Sequence, residues 1–195
     1  MGATGVSPKS CTPIASDERK CYSYPTDLVT GYKVLHDTAA SITHHPTMTT
    51  HPNFIDTAEG IREILTQSRT IAVLGIKTQA QADQAAYYVP KYLQAAGYEV
   101  IPVPVYYPDA TEILGRKVCR KLAEIPGPVD LVNVFRRPND VPAHVADILE
   151  KKPRAVWLQL GIRNDAAALE LAEAGIKVVQ DRCIMVDHRA LGARR

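Results

Sequence analysis

Between residues 56 and 191, short and almost continuous apolar runs alternate with stretches whose apolar residues recur every three or four positions. The first kind reads as a strand buried on both faces, the second as an amphipathic helix. Asp56-Thr57-Ala58-Glu59 has capping-box spacing, with Asp56 as N-cap acceptor and Glu59 at N3. Ile61, Ile64 and Leu65 give the helix that follows one apolar face. Residues 70–75 predict a first strand ending in Gly75. Residues 84–96 predict a helix stopped by Gly97, with Pro90 as a kink or a late start. Residues 99–103 form a second strand, whose Pro102 suits a strand end or an edge. Residues 111–124 predict a short amphipathic helix ahead of Pro126-Gly127-Pro128. Three further strands are expected over 130–135, 155–160 and 176–180. Between them stand a helix from Pro138 to about Glu150 and one capped by Asn164 and stopped at Gly175, with a last short helix after the fifth strand.

Strand and helix alternate at every step. This predicts an α/β, doubly wound domain with a five-stranded parallel sheet and helices on both faces. Such a sheet takes its ligand at the carboxyl ends of its strands, around the point where strand order reverses. Function is therefore sought in the loops after Leu74, Val103, Phe135, Leu160 and Gln180.

The pattern fails before residue 54. Residues 1–53 hold five of the prolines, four of the six histidines and 14 Ser or Thr, with four basic and four acidic side chains. Apart from Leu28, Val34 and Leu35 they offer little apolar surface to offset the entropy of ordering. The chain thus divides into a low-order extension, 1–53, and a folded domain, 54–195. Asp17, Glu18, Asp27 and Asp37 argue against a transit peptide, and His44, His45 and His51 are expected to be solvated. Met48 is a candidate natural start, because organised sequence begins just after it.

Twenty-three basic and 21 acidic residues leave a formal charge of +2, too little to mark a nucleic-acid binder or a protein held to acidic membrane. No apolar run is long enough for a membrane span. Cys11, Cys21, Cys119 and Cys183 form neither a C-x-x-C pair nor a Cys/His cluster, and a cytoplasmic protein with free thiols is expected.

The first strand-end loop, Gly75-Ile76-Lys77-Thr78-Gln79, stands where a dinucleotide fold carries G-x-G-x-x-G, but two of the three glycines are missing. A helix N-terminus there still suits phosphate. Lys77 either adds a cation to it or is a solvated loop lysine. Arg136 and Arg137, just ahead of a helix, are either a solubilising pair at a loop tip or, as the position of the loop favours for at least one of them, placed to bond phosphate or carboxylate. Gly161 permits close approach of a ligand, and Gln159 is either a site group or a buried hydrogen-bonded one. Cys183 reads as a small buried hydrophobe rather than a reactive thiol. His144 reads as a surface or packing residue, and His188 could join Asp187. No catalytic constellation and no metal-ligand spacing emerges.

At these loops the chain resembles the small bacterial-type CoA-binding proteins, relatives of the CoA-binding domain in the α subunit of succinyl-CoA synthetase. The resemblance is carried by IAVLGI (71–76), YEVIPVPV (98–105), VDLVNVFRRPNDVP (129–142), AVWLQLGIRND (155–165) and VVQDRCIMVDHRAL (178–191). It implies a Rossmann-like domain that binds coenzyme A or an acyl-CoA in the strand-end crevice. By position it places Gly75, Ile76 and Lys77 at the phosphates and Pro104 and Val105 beside the adenosine. Phe135, Arg136 and Arg137 would line the same crevice. The chain departs from the family pattern in a longer first loop, in Lys77 where serine is common, and in Tyr106-Tyr107 where a polar pair is usual.

A non-catalytic or accessory CoA-binding protein is the leading expectation. An NAD(H)-binding domain with a redox or sensing role needs an acidic residue just after the second strand, but that loop reads Pro104-Val105-Tyr106-Tyr107-Pro108, with Asp109 late. An interaction subunit with a vestigial nucleotide site is the third reading. The oligomeric state is open; a homodimer is compatible with the sequence.

Overall fold

The computed structural model describes residues 51–192; the expectations for residues 1–50, including Met48, Cys11 and Cys21, lie outside them. Five parallel strands, β1 (Thr70–Leu74), β2 (Glu99–Val103), β5 (Leu131–Val134), β6 (Ala155–Leu158) and β7 (Lys177–Val179), form one sheet in the order β2-β1-β5-β6-β7. The chain runs outward from β1 to β2, then returns across β1 to β5. Strand order therefore reverses between β1 and β5, and the carboxyl ends of these two strands flank the crevice where such folds bind ligands.

Alternate residues of each central strand feed two cores. Ile71, Val73, Leu131, Ala155 and Trp157 face α1 (Ala58–Gln67), α2 (Ala85–Ala95) and α5 (Ile184–Ala190). Ala72, Leu74, Val132, Val134, Val156 and Leu158 face α3 (Val145–Lys151) and α4 (Asp165–Glu173). Burial on both faces is why these strands read as unbroken apolar runs. The doubly wound parallel sheet predicted from the alternation is the one observed. No helix of the described residues is long and apolar enough to cross a membrane.

Several local features differ from the pattern reading, each for a physical reason. The cap of α1 is Thr57, whose Oγ1 accepts from Gly60 N at 3.2 Å, so Glu59 is one position too early to close a capping box. Residues 111–124 are not a helix. They open with a hairpin, β3 (Glu112–Ile113) against β4 (Arg116–Lys117), whose two turn residues, Leu114 and Gly115, both have positive φ. That is the backbone of the two-residue turn that matches strand twist. Ile113, Val118 and Leu122 are buried, whereas the helix-like spacing is that of Leu114, Val118 and Leu122, and Leu114 stands in the turn. The helix expected from Pro138 begins as a 3-10 segment, Pro138–His144, and becomes α-helical only at Val145. Pro142 lies inside that segment and lacks the N–H that a regular ladder needs there.

Pro90 stays inside α2 and does something the sequence did not reveal. Having no N–H, it cannot bond the carbonyl of Ala86, four residues earlier. That carbonyl accepts instead from Lys77 N at 3.1 Å and so ties the first strand-end loop to the helix. The chain ahead of α1 also joins the sheet. Phe54 bridges Val178 in parallel, Asn53 O accepts from Val178 N at 2.7 Å, and Ile55 N donates to Val178 O at 2.9 Å.

Candidate functional site

Gly75 ends β1 with φ +86, and its N–H donates to Val103 O at 2.8 Å. A Cβ at this position would stand 2.3 Å from Phe135 O and 3.2 Å from Arg136 Cδ. The loop after β1 is thus seated directly against the loop after β5, and only glycine allows it. Ile76 turns its side chain into the core, so any ligand contact from it is a backbone one.

Beyond these two residues the loops bring their charges together. Lys77 Nζ lies 5.2 Å from the centre of the Tyr106 ring and 5.6 Å from that of Tyr107. Arg136 Cζ lies 5.2 Å from the same Tyr106 ring. Cations over an aromatic face are attracted by its negative quadrupole. Two like charges from different strands thus share one ring, and Arg136 beside the Tyr106 hydroxyl holds that phenol below its ordinary pKa.

Arg136 is only 11% exposed. Its guanidinium donates to Asp140 Oδ2 at 3.1 Å and, through Nε, to His144 Nε2 at 3.1 Å. Burial, and then the Arg136 charge, push the His144 imidazole below its usual pKa, which suits a neutral ring accepting at Nε2. Arg137, 79% exposed, bonds the same Asp140 oxygen at 2.9 Å. That bond, with the neighbouring cationic charges, holds the Asp140 carboxyl below its usual range. One carboxylate therefore serves two arginines. Among the described residues Lys77 has no carboxylate within ion-pairing distance, so the cluster carries net positive charge.

Two hollows adjoin this cluster, one lined by Tyr106 and His144 and the other by Arg136 itself. The larger, about 560 Å³, is lined by Leu74, Pro104, Val105, Tyr106 and His144, with Arg120 and Lys121 from the chain after the hairpin. The second, about 410 Å³, lies at the start of α2 and is lined by Ala85, Ala86, Phe135, Arg136, Arg137 and Gly161. Gly161 has φ +79, and a Cβ there would meet open space. Its N–H donates to Asp181 Oδ1 at 2.6 Å. Of the residues expected at the site, Lys77 and Arg136 converge on Tyr106, Pro104 and Val105 line the larger hollow, and Phe135, Arg137 and Gly161 line the other.

Other candidates lie elsewhere or are already engaged. Gln159 is buried and donates through Nε2 to Asn133 Oδ1 at 2.7 Å. Asp187 pairs with Arg182 at 2.6 and 3.0 Å rather than with His188, whose Nδ1 lies 2.8 Å from Tyr92 OH. Cys183 is half-buried at the N-cap of α5. Among the described residues no group of three metal-ligating side chains comes together. His144, Tyr106 and Arg120 were not singled out as site residues from sequence. Only the Tyr106-Tyr107 departure from the family pattern signalled one of them.

A family model described as a CoA binding domain matches residues 69–189. An uncharacterized protein of Bacillus subtilis (strain 168), YneT, is 42% identical over 128 residues, 66% of this chain and 91% of that protein. A solved structure of cell-free ID.343 from Thermus thermophilus is 40% identical with a TM-score of 0.64, covering 70% of this chain and 99% of that one. A hypothetical protein from Pyrococcus horikoshii OT3 is 36% identical with a TM-score of 0.63, covering 70% and 92%.

Proposed function

The chain belongs to the CoA-binding domain family, and from that premise we propose that it binds coenzyme A or an acyl-CoA in the crevice between the ends of β1 and β5. One observation carries the proposal: Lys77 and Arg136, from two different strand-end loops, meet at the Tyr106 ring where strand order reverses. Two cations held together without a matching pair of carboxylates suit a diphosphate. The apolar walls beside them, Pro104, Val105 and the Tyr106 ring, suit an adenine. The second hollow, with Arg137 at its rim and Gly161 leaving its floor open, offers the pantetheine arm a way out past α2.

The role in this reading is binding rather than catalysis. The groups that meet around the Tyr106 ring are cations, the Asp140 carboxylate that two of them share and an imidazole already engaged with Arg136, an arrangement suited to holding phosphate. A cytoplasmic location belongs to the same proposal, supported by the free thiols of Cys119 and Cys183. Thermal unfolding with CoA, acetyl-CoA, NAD and NADH tests the ligand. At a hundredfold excess over the dissociation constant, a bound ligand adds about 2.7 kcal/mol of stability. CoA or acetyl-CoA is expected to give that shift. A shift with NADH and none with CoA would overturn the proposal.

A further inference from the structure

The larger hollow holds a second pair of cations that the strand ends do not explain. Arg120 and Lys121 line it from the chain that follows the hairpin. The guanidinium of Arg120 donates to three backbone carbonyls, those of Tyr107 at 3.1 Å, Pro108 at 2.8 Å and Ala110 at 2.5 Å. Carbonyls fix its position without cancelling its charge. Among the described residues no carboxylate pairs with either the Arg120 guanidinium or the Lys121 ammonium. Glu124 accepts only from the Arg120 backbone N–H, at 3.2 Å.

The acids of this hollow sharpen the picture. Asp147 is spent on backbone, accepting from Leu122 N at 2.8 Å and Ala123 N at 3.2 Å, and so it fixes the turn that carries Arg120 and Lys121. Glu150, on the α3 wall, is an exposed carboxylate that repels an anion from that side. The 104–110 loop thus lies between two cation pairs. Lys77 and Arg136 meet the aromatic rings of its Tyr106-Tyr107 stretch, and Arg120 grips its carbonyls.

We propose that Arg120 and Lys121 take the 3′-phosphate of an adenosine seated against Pro104, Val105 and Tyr106, so that the protein selects adenosine ligands phosphorylated at both the 5′ and 3′ positions. This rests on the CoA reading above and adds to it the residues that reject ligands lacking the 3′-phosphate. It assigns the chain between β2 and β5, which carries a hairpin in place of the expected helix, a part in recognition.

The test is isothermal titration of the full chain with CoA and with 3′-dephospho-CoA, for the wild type and for Lys121→Ala. Lys121 is exposed and among the described residues has no ion-pair partner, so its removal leaves the fold intact, which the melting temperature without ligand checks. Arg120→Lys is the second variant, retaining charge but losing the planar fork. The wild type is expected to prefer CoA on the order of tenfold, the value of a charge-assisted phosphate contact. Lys121→Ala is expected to narrow that preference by weakening CoA alone. Equal affinity of the wild type for both ligands overturns the assignment while leaving the CoA reading standing, as does a Lys121→Ala variant that weakens both ligands equally. Failure of CoA itself to bind the wild type contradicts the CoA reading, and the assignment with it.

Discussion

Replacing Gly75 with alanine tests the seating of the first loop on the third strand-end loop. The residue has φ +86, and an added Cβ would lie 2.3 Å from Phe135 O. Left-handed backbone costs a residue with a Cβ about 1–2 kcal/mol. Relieving the clash requires the two loops to part by several tenths of an ångström at a backbone atom, which cannot swing aside as a side chain can. Overpacking of that kind costs roughly 1–3 kcal/mol. Gly75→Ala should therefore lose about 2–5 kcal/mol, a large share of the roughly 5–15 kcal/mol that holds a domain together. Gly161→Ala is the control, since its φ is +79 but its Cβ would meet nothing within 4 Å. It should pay only the backbone term, about 1–2 kcal/mol. Urea unfolding of both variants measures the difference, read from midpoints at unchanged slope. Equal losses in the two variants would refute the contact.

Lys77→Ala and Arg136→Ala should each weaken CoA binding by about 1.5–3 kcal/mol, the net value of a hydrogen bond to a charged group; unchanged affinity in both, measured by titration calorimetry, would remove the phosphate assignment. His144 has its pKa lowered by burial and by Arg136, so the unfolded chain takes up the proton first as pH falls. Its contribution to stability is therefore present at neutral pH and is lost below the ordinary imidazole value of 6.5. His144→Gln should show a shallower fall in melting temperature between pH 7.5 and 5.5 than the wild type, and parallel curves would count against the coupling. Pro90→Ala restores an N–H that competes for the Ala86 carbonyl, so exchange of the Lys77 amide should quicken; unchanged protection by hydrogen exchange would show that the proline does not matter to the loop.

The sequence exposed the fold where burial leaves a clear mark. β1, β5 and β6 face a core on each side, so they appear as continuous apolar runs, and the Asn164 cap is seen accepting from Ala167 N at 3.0 Å. It misled where one spacing serves two structures. Leu114, Val118 and Leu122, each four apart, suit a helix face, but Gly115 permits a hairpin turn that takes Leu114 with it, and the hairpin forms. Lys77 and Arg136 could be picked out as candidates because a doubly wound sheet dictates which loops lie at its switch point. Tyr106, His144 and Arg120 could not. Each meets a partner well removed along the chain, and no local pattern records that a ring will meet two cations or that a guanidinium will grip three carbonyls. The carbonyl freed by Pro90 is of the same kind: the proline is visible in the sequence, but the N–H it makes room for is not.

CoA seated in the crevice between β1 and β5 would alter the surroundings of the backbone amides that line it. Amide chemical shifts followed by NMR during a CoA titration test that seating most directly. Saturable changes are expected, concentrated at residues 75–77, 104–107, 120–121 and 135–137. Changes concentrated instead at the far edge, around residues 54–56 and 178–182, or no changes at millimolar CoA, would contradict it.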